Sequence, residues 1–138
     1  SNEPWKCIMG EYRMPFLQTP YFISASQDDL FQIYEDIGHA PIKPNEIEYA
    51  STFANLTRAT LLNLHASNPS SHAVFSWACF NHAVSMSEDG FNVWKSGEDP
   101  NMSSTMNDGL VRFLGWGDSH SKLEWVDMCA GWKCGKGC

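Results

Sequence analysis

Two stretches of the chain carry apolar, β-forming residues in the manner of strands, and a long stretch between them repeats with a helical period. Phe16-Leu17-Gln18-Thr19-Pro20-Tyr21-Phe22-Ile23-Ser24-Ala25 breaks into Ser26-Gln27-Asp28-Asp29, as a buried strand does at its C-terminal edge. Ala73-Val74-Phe75-Ser76-Trp77 is a second strand, which places His82 in the loop that follows. From about Asn45 to Leu64, a stripe of Tyr49, Phe53, Leu56, Thr60 and Leu64 recurs at helical spacing, backed by Ile47, Ala50, Ala54 and Leu61. The predicted order is strand, Asp loop, helix, strand, His loop. In open α/β sheets ligands gather outside the C-terminal ends of the strands, so the acidic pair and His82 are candidates for one site.

Beyond His82 the pattern weakens. Residues Met86 to Pro100 are polar and rich in Gly and Asp, which predicts a loop around a short strand Phe91-Asn92-Val93-Trp94. Thr105 to Leu114 predicts a short helix with Ser104 or Thr105 as its cap and Leu110, Val111, Phe113 and Leu114 as its apolar side; Gly109 weakens it by about 1 kcal/mol. A chain of 138 residues can bury one core. Two parallel strands with two or three helices would nevertheless leave a sheet edge and an apolar face bare, and covered parallel sheets have more strands. The expectation is an α/β fold in which residues 1–138 are the C-terminal part of one larger domain, as a processed subunit or a fragment, completed by an upstream segment or a second chain.

Each candidate has a plain structural use. An aspartate at a strand end often caps a helix, and Asp28 or Asp29 precedes Leu30-Phe31-Gln32-Ile33-Tyr34, with Gln32 placed to close a capping box on Asp29. Both uses fit one loop, with Asp28 capping and Asp29 reaching His82. His82 taken alone reads as a packed or surface histidine, and His39, His65, His72 and His120 are read as surface or capping residues.

Taken together, Asp-x-x-Gln at Asp29 to Gln32 and Cys-x-x-His-x-x-Ser at Cys79, His82 and Ser85 resemble the pectin acetylesterase and Notum family of carboxylesterases. The motifs lie between Pro15 and Ser85, and the resemblance extends over about residues 7–114. It implies an α/β-hydrolase whose triad runs Ser, Asp, His along the chain. Asp29 is then the orienting acid and His82 the general base, with Gln32 and Ser85 supporting them. The nucleophile of such folds stands in Gly-x-Ser-x-Gly beside its oxyanion donors. No serine here has that setting, and in Gly115-Trp116-Gly117-Asp118-Ser119 the serine follows the glycines. The nucleophile and oxyanion hole are therefore expected upstream or on a partner chain. The implied activity is hydrolysis of O-acyl esters on a polysaccharide or a protein, with no metal or cofactor. The alternatives are an inactive extracellular interaction subunit that keeps the esterase fold, and a small carbohydrate-binding module built on Trp77, Phe80, Phe91, Trp94, Trp116, Trp125 and Trp132, which are otherwise mostly core.

Composition narrows the setting. The net charge is −7 and no basic stripe or membrane-length apolar run is present, which argues against nucleic acid and a transmembrane segment. Asn55-Leu56-Thr57 and Asn101-Met102-Ser103 are N-glycosylation sequons, whereas Asn68-Pro69-Ser70 is blocked by its proline. Cys7, Cys79, Cys129, Cys134 and Cys138 are spaced poorly for zinc and better for disulfides, with an odd cysteine left free or bridged to another chain. An interchain bridge at Cys79 would pin the His82 loop. Sequons and disulfides together predict a secreted or cell-surface protein.

Overall fold

The computed structural model describes residues 3–97, 103–116 and 123–135. Three parallel strands form the centre: β1 (Tyr21–Asp29), β2 (His72–Asn81) and β5 (Glu124–Val126), in the order β1-β2-β5. β1 and β2 pair from Tyr21 opposite His72 to Asp29 opposite Asn81, and β5 pairs with Val74 to Ser76. The outer edge of β1 meets no other strand among the described residues. A two-residue antiparallel pair, β3 (Lys95–Ser96) with β4 (Ser104–Thr105), lies apart from this sheet.

Helices cover both faces. α3 (Pro44–Ser67) makes the β1-to-β2 crossover, with Leu61 packed on Val74 and Val126. It starts on Pro44, whose fixed φ suits the first helical position. The Glu46 carboxylate accepts the backbone N–H groups of Ile42 and Lys43, and those two bonds hold its pKa down at about 2. On the opposite face, Phe75, Trp77, Cys79 and Trp125 pack with Met106 of α5 (Met106–Phe113) and Val84. Thr105 caps α5 by accepting the Asp108 N–H. Gly109 weakens α5 as an isolated helix, yet a Cβ there would lie 3.2 Å from the Trp125 ring and 3.3 Å from Phe75. The helix rests on the sheet at the position that has no side chain.

Several elements differ from the sequence pattern for local reasons. β1 begins at Tyr21, not Phe16, because Pro20 can donate no ladder bond, and Phe16 stands 80 % exposed. Asp28 and Asp29 therefore end the strand instead of occupying a loop. Phe91 and Asn92 belong to helix α4 (Glu88–Asn92), not to a strand: Ser87 caps it by accepting the Gly90 N–H, and Glu88 and Asp89 suit its positive N-terminus. On α3 the buried positions are Ala50, Ala54, Leu61 and Leu64, whereas Tyr49 and Leu56 of the predicted stripe are exposed. His65 and His72 are buried, not superficial: His72 stacks on Tyr21 at 3.8 Å, and His65 Nδ1 meets the His72 carbonyl at 2.6 Å. β5 has no counterpart in the sequence pattern.

Phe75 is fully buried between Trp77, Trp125 and Phe22, so Phe75→Ala should lower unfolding free energy by about 3–5 kcal/mol. Thr105→Ala, which removes one cap, should lower it by about 1 kcal/mol. Urea denaturation of the two variants checks the order and the sizes.

Candidate active site

β1 and β2 end side by side, and each delivers one functional group. Asp29 is the last residue of β1, and His82 follows the last residue of β2. His82 Nδ1 lies 2.9 Å from Asp29 Oδ2 and 3.2 Å from Oδ1. The same carboxylate caps α2 (Leu30–Ile37), with Oδ1 accepting the Gln32 N–H at 3.0 Å. Asp29 thus performs both tasks that sequence reasoning divided between two aspartates. That bond is one half of a capping box, and the returning bond from the Gln32 side chain to the Asp29 N–H is not made among the described residues.

The aspartate is mostly enclosed, its side chain 18 % exposed, while the His82 side chain is 53 % exposed. With Nδ1 held by a carboxylate, the imidazole is oriented and Nε2 is the nitrogen left for a reacting group. Phe31 flanks the ring at 5.4 Å between centroids. On its other side the chain turns sharply: Ala83 has φ +52°, a left-handed conformation costing a residue with a Cβ about 1–2 kcal/mol, and its carbonyl accepts the Met86 N–H at 2.9 Å.

Asp29, Gln32, His82 and Ser85 all line one cavity of about 910 Å³, with Ser24 and Ser26 from β1. Its far wall is the α3 face made by Phe53, Leu56, Thr60 and Leu64. Of the period-3.6 stripe in the sequence, Phe53, Leu56 and Thr60 line this cavity, and Leu64 both lines it and belongs to the core. No group of three or more His, Cys, Asp or Glu side chains clusters as a metal site among the described residues.

Asp28 points elsewhere. It is fully buried, accepts the Lys133 N–H at 3.2 Å, and burial raises its carboxyl from 3.8 to about 6 against the weaker opposing pull of Lys133. Lys133 belongs to a loop closed by the disulfide Cys129–Cys134. Cys79 is also disulfide-bonded, and Cys7 is free and exposed. Trp77 and Trp125 are core, Phe91 and Trp94 pack against it, and Trp132 meets Phe80 edge-on at 4.8 Å, whereas Trp116 stands 76 % exposed. Asn55 is exposed on α3, its amide oxygen accepting from Arg58. Asn101, Ser119, His120 and Cys138 lie outside the described residues.

Comparison with known proteins gives a consistent result. No family model matches the chain. Over 92 residues, 67 % of the chain, it is 31 % identical to the palmitoleoyl-protein carboxylesterase Notum of Drosophila melanogaster. Two crystal forms of the Wnt deacylase Notum from Drosophila superpose on 99 % of the chain at 25 % identity, with TM-scores of 0.75 and 0.72.

The chain belongs to the Notum-like family of carboxylesterases.

It corresponds to the C-terminal part, and its sheet and helices are those of an α/β-hydrolase-like fold. It spans 13 % of the curated Notum sequence and 35 % of the solved Notum chain. The likeness to the solved Notum structures runs through residues beyond Gly115, where the sequence resemblance fades. No helix among the described residues is long and apolar enough to cross a membrane.

The raised carboxyl of Asp28 gives a signed pH effect. A carboxyl that holds its proton more tightly when folded contributes stability below its folded pKa, and that contribution is lost as pH rises from about 4 to about 6. Asp28→Asn should remove this part of the pH dependence. The difference in urea midpoint between variant and parent, followed across that window, checks it, and the variant should gain on the parent as pH rises.

Proposed function

We propose that this chain carries the acid and base of a serine carboxylesterase whose nucleophile and oxyanion hole lie on an upstream segment or a partner chain. The supporting observation is the Asp29–His82 contact at 2.9 Å, set at adjacent strand ends inside the cavity that α3 walls. His82 Nε2 takes the proton from the serine hydroxyl as it attacks the ester carbonyl, then returns it to the departing alcohol. Asp29 fixes the tautomer with the proton on Nδ1 and stabilises the imidazolium that forms. Gln32 anchors Asp29 through its backbone N–H, and Ser85 stands on the cavity wall beyond His82.

The lining supports one substrate class over another. Phe53, Leu56, Leu61 and Leu64 make an apolar wall facing the acid and base. That wall favours an acyl chain over a bare acetyl group, in line with the palmitoleoyl-protein esters named for the Drosophila relative. Short acetyl esters on a polysaccharide, as in pectin acetylesterases, are the second substrate class. We further propose a secreted or cell-surface setting, with Asn55 and Asn101 as glycosylation sites.

The test uses the full-length protein, serine-bearing segment included. A fluorophosphonate probe should label one serine, and labelling should fail in His82→Ala. Asp29→Asn should lower kcat by about four orders of magnitude while the protein stays folded. Asp28→Asn should leave turnover near the parent value. Loss of activity in Asp28→Asn with retention in Asp29→Asn would overturn the assignment.

A further inference from the structure

We infer that Asp127 is a positioning residue for the Asp29–His82 pair, acting through a bulge in β2. The inference rests on the reading of that pair as acid and base. β1 and β2 run in step from Tyr21 opposite His72 to Ser26 opposite Trp77, and resume with Asp28 opposite Phe80. Gln27 therefore faces two residues, Ala78 and Cys79. One extra residue in β2 is a bulge, a feature that occurs beside active sites and re-aims the chain that follows. Its effect here is one of reach. In an unbroken register Phe80 would stand opposite Asp29, leaving His82 one residue farther along, about 3.3 Å. With the bulge, Asn81 stands opposite Asp29 and His82 comes next.

A bulge leaves backbone groups outside the ladder, and at Ala78, which is 2 % exposed, those groups need partners. β5 has ended by then, its last pair being Ser76 with Val126. The residue after β5 takes over. Asp127 Oδ2 accepts the Ala78 N–H at 3.0 Å. Its Oδ1 accepts the Gly97 N–H at 3.1 Å and the Ser96 hydroxyl at 3.3 Å. Its own N–H donates to the Ser76 carbonyl at 3.0 Å, and its carbonyl accepts from Gln27 Nε2 at 2.8 Å and Arg58 Nη1 at 3.4 Å. Gln27 is the β1 residue that faces the bulge, so Asp127 ties both sides of the irregularity together. Two further bulge groups are met by neighbours: the Ala78 carbonyl accepts the Gly135 N–H at 3.1 Å, and the Cys79 carbonyl accepts the Ser26 hydroxyl. A carboxylate bonding two backbone N–H groups makes stronger bonds than a neutral acceptor.

The geometry leaves little slack. His82 lies four residues past Ala78, its contact to Asp29 is 2.9 Å, and a displacement of about 1 Å would take it beyond hydrogen-bonding range. Asp127 touches neither Asp29 nor His82 in any contact described, so its influence is on their placement.

The experiment uses the full-length protein and Asp127→Asn, which must give up a carboxylate oxygen on one side or the other. Two quantities are read: kcat and KM on a p-nitrophenyl ester, and the downfield proton resonance of His82 Nδ1–H. The expected result is a kcat about ten- to hundredfold lower, KM within about twofold, and a weakened or missing downfield resonance. Val126→Ala, a core truncation on the neighbouring residue, controls for stability alone, and should lower the melting temperature while keeping the resonance and kcat. If Asp127→Asn does not fold, Gly135→Ala decides, because its Cβ would sit 2.5 Å from the Ala78 carbonyl oxygen and press on the same bulge. Unchanged kcat and resonance in the folded variant, or an equal loss in Val126→Ala, would overturn the inference. A parent protein without the downfield resonance or a labelled serine would instead remove the catalytic reading, and this inference with it.

Discussion

The parallel pairing of β1 with β2 is the constraint on which everything else rests. It is set by side chains buried on both faces, with Phe22, Phe75, Trp77 and Trp125 toward α5 and Ile23, Val74 and Val126 toward α3. Because that register is set from Tyr21 opposite His72 and the bulge in β2 takes up one residue before its end, a carboxylate and an imidazole 53 residues apart meet without a loop having to find its place. The Asp29–His82 contact is a boundary condition of sheet packing. The two side chains sit where the last core residues leave them.

Three carboxylates near this edge divide the labour by environment. Asp29 is mostly enclosed and shared between the Gln32 N–H and His82. Asp28, one residue earlier, is fully buried and holds the disulfide loop through the Lys133 N–H. Asp127 satisfies backbone groups where β5 stops. Neighbouring residues of a strand point to opposite sides, which is why two adjacent aspartates can have unrelated duties. The cost of burying Asp28 shows in its raised carboxyl, and Asp28 Oδ1 has no hydrogen-bond partner among the described residues.

Much of this was legible from residue patterns, and the exceptions have physical reasons. The strands, the crossover helix and the meeting of Asp29 with His82 follow from apolar runs ending in chemistry-bearing residues. The α3 stripe was read with the right period, but periodicity reports an apolar face and not what covers it. β5, three residues long, is too short to print a pattern, and its register comes from Trp125 filling the space over Gly109. The stack of buried His72 on half-buried Tyr21 escaped notice because stacking between aromatic rings at 3.8 Å depends on strand register, which only the folded sheet supplies. Asp127 escaped for a related reason: a bulge is a mismatch between two strands and leaves no mark on either one alone.

β1 presents its outer edge over nine residues, with ladder donors and acceptors that meet no strand among the described residues. Its sequence carries no lysine or proline between Tyr21 and Asp29 to discourage a newcomer, and the edge stays neutral until the acidic pair at its end. A surface of this kind recruits any extended peptide that reaches it. During folding, the order in which neighbouring segments arrive at β1 therefore decides between the native sheet and a self-associating intermediate, which makes this strand a point of kinetic risk in the fold.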